Sequence, residues 1–239
     1  MKTSKLGLLA LLLVLVGTEG AFAASCTTNT YDNYVGPPSI SCTITVSPPG
    51  DTKTLSNFSY STSGSNPMPA GQITANPVAF PFVVGMLFNA PWNAFAGQTQ
   101  DSLIGFTTTL TSGSALLNGL SLLMFGAGFN GTGSVSVSET YCIGDTFSDG
   151  CAHGTTGTLS TFLNHSGSKL IDTVSFAGTN VVDVEKDILL KGGESGFAVL
   201  SGVENQILED VPVPEPSSLA TVGSGLFCLV GLLGRRLFA

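Results

Sequence analysis

Apolar and hydroxyl residues alternate in several short stretches of the chain. The most regular stretch, residues 40–46, reads Ile-Ser-Cys-Thr-Ile-Thr-Val. A period of two places alternate side chains on opposite faces of a β-strand, so this stretch predicts a strand with one buried face. Further strands are predicted from apolar-rich stretches at 55–60, 78–88, 103–110, 115–125, 134–141, 158–163, 170–176, 181–190 and 197–208.

Gly, Pro and Asn residues separate these stretches and predict turns between the strands. Within 78–88, Pro81 predicts a break or a sheet edge, because proline has no N–H to donate to a neighbouring strand. The stretch near 115–124 also permits a helical insertion, since Leu116, Leu120 and Leu123 fit a helical stripe.

About ten short strands separated by turns are typical of a β-sandwich or barrel. We therefore predict an all-β body, a β-sandwich or jelly-roll-like fold, over residues 24–212. That length suits one sandwich with a sizeable core, or two small lobes. An N-terminal signal-peptide helix and a C-terminal transmembrane helix are predicted to flank this body.

Residues 1–23 have the three parts of a secretory signal peptide. A basic start is followed by an uncharged apolar stretch at 6–16, and Ala21 and Ala23 fit the small-residue cleavage pattern. We expect cleavage after Ala23, which leaves Ala24 at the new N-terminus. The apolar stretch is too short to cross a hydrocarbon core of about 30 Å as a helix, although an uncleaved anchor remains the alternative.

Residues 213–239 contain a proline-rich motif, an apolar stretch and a basic pair, in that order. The apolar stretch, 217–234, carries no charge and just reaches the length of a membrane-spanning helix. Arg235 and Arg236 would remain in the cytoplasm by the positive-inside rule, which puts the body on the far side of the membrane. A plain tail anchor with a proline-rich stalk is the alternative.

This C-terminal segment resembles the PEP-CTERM sorting signal of Gram-negative bacteria. The resemblance is carried by Val213, Pro214, Glu215, Pro216, Arg235 and Arg236. It implies a precursor held in the inner membrane with its body in the periplasm, after passage through the Sec translocon and cleavage by signal peptidase. It further implies that an exosortase releases the protein to the cell surface or the extracellular space, and that the protein associates with exopolysaccharide in a biofilm.

The composition excludes several classes of protein. Only 10% of the residues are charged, 43% are hydrophobic, and the formal net charge is −8. Such a chain is too apolar and too weakly charged for ordinary intrinsic disorder, and it lacks the basic face that a nucleic-acid-binding protein needs. An acidic exported surface remains compatible with cations and with neutral sugars, and a simple role in solvation is the alternative.

Four of the five cysteines lie in the exported body, where thiols oxidise. Of the three possible pairings we favour Cys26 with Cys42 and Cys142 with Cys151, because each pair closes a short loop rich in turn residues. A zinc site is the alternative, but the spacing does not match the usual close pairs of ligands. Cys228 lies in the apolar C-terminal stretch.

The sequence predicts no catalytic residue and no cofactor. The two histidines, His153 and His165, are too far apart in sequence for a helical metal pair, and no Gly-x-Ser-x-Gly motif supports a nucleophile. Glu139, Asp145 and Asp149 lie in or near the 142–151 loop and are weak candidates for calcium ligands. Their spacing is not that of an EF-hand, so a polar turn is the alternative.

Asp183, Glu185 and Asp187 occupy every second position of a predicted strand and predict an acidic stripe on one face. Paired carboxylates also serve glycoside hydrolysis, but a cleft rich in Trp and Tyr is not indicated. We therefore expect a non-catalytic, exported surface or matrix protein processed by an exosortase. The alternatives are a carbohydrate- or ligand-binding β-sandwich, with or without calcium, and an exported hydrolase.

Overall fold

The computed structural model describes residues 24–46 and 50–210. The predicted signal peptide at 1–23 and the predicted sorting signal at 213–239, with its helix, lie outside these residues. Within the described ranges, no helix has the length and apolar character needed to span a membrane.

The described chain forms fifteen strands and three short helical turns. In chain order the strands are β1 (Ala24–Ser25), β2 (Asn29–Thr30), β3 (Cys42–Val46), β4 (Asp51–Gly64), β5 (Thr74–Phe80), β6 (Val83–Phe95), β7 (Thr99–Ser112), β8 (Leu117–Phe125), β9 (Gly128–Asn130), β10 (Ser134–Ile143), β11 (Thr155–Asn164), β12 (Gly167–Lys169), β13 (Ile171–Thr179), β14 (Val181–Lys191) and β15 (Phe197–Glu209). The helical turns are α1 (Asp32–Val35), a 3₁₀ turn at Ala70–Gln72 and a second 3₁₀ turn at Phe147–Asp149.

The strands form two sheets, which we call sheet 1 and sheet 2. Sheet 1 has the order β1-β3-β4-β7-β14-β10-β11-β12. Sheet 2 has the order β13-β8-β15-β6-β5-β2, with β9 also paired to β15. All of these pairs are antiparallel except β1 with β3. The prediction of an all-β sandwich is confirmed.

The core lies between the sheets and follows from the period of two. On β6 the buried side chains include Met86, Phe88 and Trp92, and on β7 they include Ile104 and Phe106. These side chains belong to one continuous hydrophobic cluster that draws on both sheets. Burial of large apolar side chains of this kind is the main favourable contribution to folding.

Two details of the predicted strands are decided by the structure. The break at Pro81 is confirmed, because β5 ends at Phe80 and β6 begins at Val83. The possible helical insertion near 115–124 is wrong, since residues 117–125 form strand β8 between β13 and β15. In β8 the side chains of Leu120 and Leu123 are not on one face: Leu120 is fully buried, whereas Leu123 is only half-buried.

Both predicted disulfides are confirmed. Cys26 bonds Cys42, and Cys142 bonds Cys151, with S–S distances of 2.01 and 1.94 Å. The first bond joins the chain after β1 to the start of β3. The second joins the end of β10 to the loop that contains the 3₁₀ turn at Phe147–Asp149, and it therefore restrains a loop that borders the site described next.

Candidate binding groove on sheet 1

The outer face of sheet 1 is polar where β4, β7 and β14 lie side by side. The pairing register aligns the three strands in rows across the sheet. One row is Ser59, Gly105 and Glu185, and the next is Ser61, Leu103 and Asp187. The predicted acidic stripe of Asp183, Glu185 and Asp187 thus lies on the outer face of β14, as the alternation of its residues predicted.

A groove of about 300 Å³ crosses this face at Gly105. We call it the Gly105 groove. Its lining residues are Asn57, Ser59, Gly105, Phe106, Phe147, Ser148, Asp183, Val184 and Glu185. The glycine creates the depression, because a Cβ at this position would lie 2.5 Å from Ser59 Oγ. A side chain at position 105 would therefore fill the floor of the groove.

One end of the Gly105 groove is held by a line of hydrogen bonds. Asn57 Nδ2 donates to Thr107 Oγ1 over 3.0 Å, and the Thr107 hydroxyl donates to Asp183 Oδ1 over 3.0 Å. Asp183 Oδ2 accepts from the backbone N–H of Phe147 over 2.8 Å. Asp183 therefore binds strand β7 through Oδ1 and the loop through Oδ2, and the exposed Ser148 lies beside the groove on that loop.

The floor of the groove is supported from inside the sandwich. Tyr31 is fully buried, and its hydroxyl lies 2.9 Å from the backbone oxygen of Gly105 and 3.1 Å from that of Ser59. Burial raises the pKa of the Tyr31 phenol above its usual value, so this hydroxyl keeps its proton and donates it. A floor tied to the core in this way is preformed rather than assembled when a ligand arrives.

The local chain geometry explains why Asn57 lines the groove. The register of β4 against β7 shifts between Ser56 and Ser59, and Asn57 has a positive φ of 54°. Asparagine is one of the few residues other than glycine that adopt this conformation readily. The resulting bulge leaves the Asn57 side chain exposed and brings its amide to Thr107.

A second depression of about 230 Å³ adjoins the acidic stripe further along β14. Its lining residues are Ser61, Thr62, Ser63, Asp101, Leu103 and Asp187. Ser63 Oγ donates to Asp101 Oδ2 over 3.0 Å. Burial and the neighbouring Asp101 carboxylate together raise the pKa of Asp187 to about 6, with burial the larger cause.

Cations are scarce around this face. Within the described residues the basic side chains other than histidine are four lysines, and two of them, Lys53 and Lys186, are fully buried. Lys169 pairs with Asp172 over 2.7 Å, and Lys191 is exposed at the end of β14. The face therefore offers carboxylate, amide and hydroxyl oxygens, which suit a neutral hydroxyl-rich ligand or a cation better than an anion.

The three weak calcium candidates are not brought together. Glu139 lies inside the core with no exposure. Asp145 accepts a hydrogen bond from the backbone N–H of His153 over 3.0 Å, which lowers the pKa of its carboxyl group. Asp149 is exposed in the 3₁₀ turn. Among residues 24–46 and 50–210, no group of three or more His, Cys, Asp and Glu side chains is placed to hold a metal ion.

The sequence analysis missed most of this groove. Asn57 and Ser59 match only the Asn-x-Ser glycosylation pattern, which indicates a surface position, and no sequence motif includes Gly105, Phe147 or Ser148. Gly105 could have been noticed as a glycine inside a predicted strand, which often marks a close approach of backbone or ligand. The neighbours it meets across the sheet depend on the order β4-β7-β14, which no local pattern reveals.

The described residues therefore define a disulfide-bonded β-sandwich with a preformed polar groove on one outer face. No protein-family model matches the chain, and no curated protein matches it either. Among solved structures, similarity is found to TmCBM61 in complex with β-1,4-galactotriose, with 6% identity, a TM-score of 0.30 and coverage of 61% of this chain and 86% of that chain. A family 11 carbohydrate-binding module from Clostridium thermocellum, in complex with a β-1,3-1,4-mixed-linked tetrasaccharide, has 11% identity, a TM-score of 0.21 and coverage of 65% and 86%. With scores this low, function has to be argued from the groove itself.

Proposed function

We propose that this sandwich is a non-catalytic module that binds a neutral polysaccharide along the outer face of sheet 1. The observation that carries the proposal is the Gly105 groove, a preformed depression lined by amide, hydroxyl and carboxylate groups. Sugar hydroxyls both donate and accept hydrogen bonds, so they match oxygen-rich side chains such as Ser59, Asn57 and Glu185. The Phe147 ring at the end of the groove adds an apolar surface for the C–H face of a sugar ring.

The shape of the face favours a chain-like ligand. The depression at Asp187 lies two residues along β14 from Glu185, so the two depressions follow the same strands. A polymer lying along β14 would contact both. Among the described residues, no lysine lines either depression, which disfavours sulfated, phosphorylated or other anionic polymers because these ligands need cationic partners.

Binding without turnover is proposed because Asp183, one of the two carboxylates that line the groove, has a structural role. Asp183 already accepts two hydrogen bonds. The observation that favours a hydrolase instead is the raised pKa of Asp187 on the same face as Glu185, since glycosidases use two carboxyl groups and raise the pKa of the one that acts as the acid. Reducing-sugar release from a bound polysaccharide would establish that second function.

The test is a binding measurement with a matched pair of variants. Purified protein is titrated with a panel of soluble neutral polysaccharides, with and without EDTA, and the binding constant is measured by calorimetry. Glu185→Gln, in the groove, should weaken binding roughly tenfold, as expected for loss of a charge-assisted hydrogen bond. The matched control is Glu204→Gln, on β15 of sheet 2, where the Glu204 carboxylate accepts a hydrogen bond from the side chain of Gln206. This substitution should leave binding unchanged.

Three outcomes of that titration have different meanings. Equal binding by both variants would refute the proposed groove, and no binding to any neutral polysaccharide would refute the proposed function. Binding that disappears with EDTA would establish the calcium-dependent form of the proposal.

We propose separately that the chain is exported and that an exosortase processes it. The support is the signal-peptide pattern at 1–23 and the PEP-CTERM resemblance at 213–239. The mass of the protein recovered from the surface of its native host should correspond to a start at Ala24 and to loss of the segment after Pro216. Mature protein that still carries Arg235 and Arg236 would contradict exosortase processing. Association with exopolysaccharide is the role that both proposals share.

A further inference from the structure

Three polar side chains from three strands meet inside the core. Lys186 comes from β14 and Glu139 from β10, which are neighbours in sheet 1, and the two residues are directly opposite each other in the register. Asn205 comes from β15 in sheet 2. All three are fully buried, with no accessible surface. Charged and amide groups of this kind are costly to bury, so their meeting in one place requires an explanation.

The Glu139 carboxylate contacts both of the other groups. Glu139 Oε2 lies 3.0 Å from Lys186 Nζ. The Asn205 side-chain nitrogen Nδ2 donates to Glu139 Oε1 over 2.9 Å and to Oε2 over 3.0 Å. The lysine nitrogen and the asparagine nitrogen therefore share one oxygen, and each is 3.0 Å from it. This arrangement places an amine beside the amide of an asparagine, with a carboxyl group between them.

The surroundings of the three groups are apolar and aromatic. Lys186 Nζ lies 4.6 Å from the centre of the Phe106 ring and 5.8 Å from that of Phe88. Burial lowers the pKa of Lys186 and raises the pKa of Glu139, while their mutual attraction opposes both shifts. A site with these properties favours transfer of the proton from the ammonium to the carboxylate, which leaves a nucleophilic neutral amine and a neutral acid.

We propose that Lys186 and Asn205 form an intramolecular amide bond in the folded protein, with Glu139 as the group that transfers the protons. The neutral Nζ attacks Cγ of Asn205. Glu139 takes a proton from Nζ through one contact and gives a proton to Nδ2 through the other. The Cγ–Nδ2 bond breaks and ammonia leaves, so that an amine and a primary amide become a secondary amide and ammonia. Counted from the ion pair, Glu139 ends as a neutral acid that holds the proton given up by the Lys186 ammonium, and no other reactant is needed.

The contacts of the unlinked side chains favour this product. Asn205 Oδ1 is buried and accepts no hydrogen bond within the described part of the chain. The new bond replaces a buried ion pair by a neutral amide, which removes the cost of keeping two charges away from water. Exclusion of water from the site also protects the bond from hydrolysis. The bond would join β15 of sheet 2 to β14 of sheet 1, and both strands lie in the interior of their sheets.

A second buried lysine provides a matched control within the same molecule. Lys53 is also fully buried, and its Nζ lies 2.6 Å from Glu209 Oε2 and 3.9 Å from Asp51 Oδ2. Both of these partners are carboxylates rather than amides. Lys53 therefore shares the burial and the ion pair of Lys186 but has no asparagine amide among its ion-pair partners.

Peptide mapping of the exported wild-type protein tests the proposal directly. Cleavage after glutamate gives one peptide from Lys186 to Glu194 and another from Asn205 to Glu209. We expect these two peptides to be recovered as one linked species, lighter than their sum by about 17 Da, the mass of ammonia. Recovery of both peptides unlinked from folded protein would overturn the proposal.

Two isomeric variants provide an independent measurement. Lys186→Arg and Lys53→Arg change the composition in the same way, so their intact masses are equal unless only one of them forms the bond. We expect Lys53→Arg to be lighter than Lys186→Arg by about 17 Da. Processing of the chain termini changes both masses equally and does not affect this difference. Glu139→Gln should retain the unlinked mass. A linked peptide in Lys186→Arg, or a linked peptide joining other residues in the wild type, would overturn the assignment. Loss of ammonia at Asn130-Gly131 would lower the mass equally, but it would not link two peptides, so peptide mapping distinguishes it from the proposed bond.

Discussion

Removal of the buried Lys53 ammonium should destabilise the protein strongly. Lys53 on β4 and Glu209 on β15 join the two sheets, and neither side chain has any accessible surface. Lys53→Met retains an apolar side chain of similar length but leaves the Glu209 carboxylate buried without its cation. Breaking a buried pair in this way costs about 3–5 kcal/mol. In a domain of this size, each kcal/mol shifts the melting temperature by about 2–4 °C, so a decrease of roughly 6–20 °C is expected.

The pH dependence of that loss identifies its cause. Burial already raises the pKa of Glu209, with Lys53 opposing the shift, so removal of the lysine must raise this pKa further. A carboxyl group with a raised pKa in the folded state costs stability above its unfolded pKa and little below it. The difference between Lys53→Met and wild type should therefore be largest at pH 8 and smaller at pH 4. The double variant Lys53→Met/Glu209→Leu should recover most of the loss.

Urea unfolding with both disulfides intact measures these differences. Lys191→Met is the control, because Lys191 is exposed at the end of β14 and its replacement should change the free energy of unfolding by less than about 0.5 kcal/mol. A loss below about 1 kcal/mol for Lys53→Met at pH 8, or a loss that does not change with pH, would show that the pair is not desolvated as the structure describes.

Three further predictions concern sheet 1. The pKa of Asp187 is raised to about 6, so Asp187→Asn should resemble wild type below pH 4, become the more stable protein as the pH rises from about 4 to 6, and keep that advantage above 6, as measured by urea unfolding; a difference that is the same at every pH would contradict the raised pKa. Gly105→Ala places a Cβ 2.5 Å from Ser59 Oγ and should weaken polysaccharide binding at least tenfold in calorimetry, whereas unchanged binding would place the ligand elsewhere. Replacing Cys142 and Cys151 by serine should cost about 2–3 kcal/mol and also weaken binding, because it releases the loop beside the groove; unaltered binding would show that the loop makes no contribution.

The fold could be predicted from local patterns because its strands are half-buried and its turns contain glycine and proline. The alternation at 40–46 gives the buried Cys42, Ile44 and Val46 of β3, and Pro81 gives the break between β5 and β6. The stretch 115–125 was ambiguous because several consecutive residues of β8 are buried, so its burial does not alternate regularly. The order of the strands could not be predicted from local patterns, since pairs such as β7 with β14 join residues far apart in the chain.

The predicted role of the acids was only partly right. Alternation placed Asp183, Glu185 and Asp187 on one face correctly, but it does not reveal that burial raises the pKa of Asp187 and of Glu139. The position of Glu139 just before the 142–151 cysteine loop makes it a weak candidate for a calcium ligand in the sequence. Its own strand alternates as well, with Val135, Val137 and Glu139 all buried, so the same period-two argument would have placed it in the core.

The same period-two argument applies to Lys186, and it connects the polar outer face of sheet 1 with the buried polar cluster. If the acids of β14 face outward, the residue between Glu185 and Asp187 must face inward, and that residue is a lysine. An inward lysine needs a carboxylate, and the register supplies Glu139 directly opposite on β10. The polar outer face and the buried Lys186, Glu139 and Asn205 are therefore two consequences of one strand in which both faces carry charge. A single-residue slip of β14 would turn its three carboxylates toward the core and expose Val182 and Val184, so this pattern also fixes the register that builds the Gly105 groove.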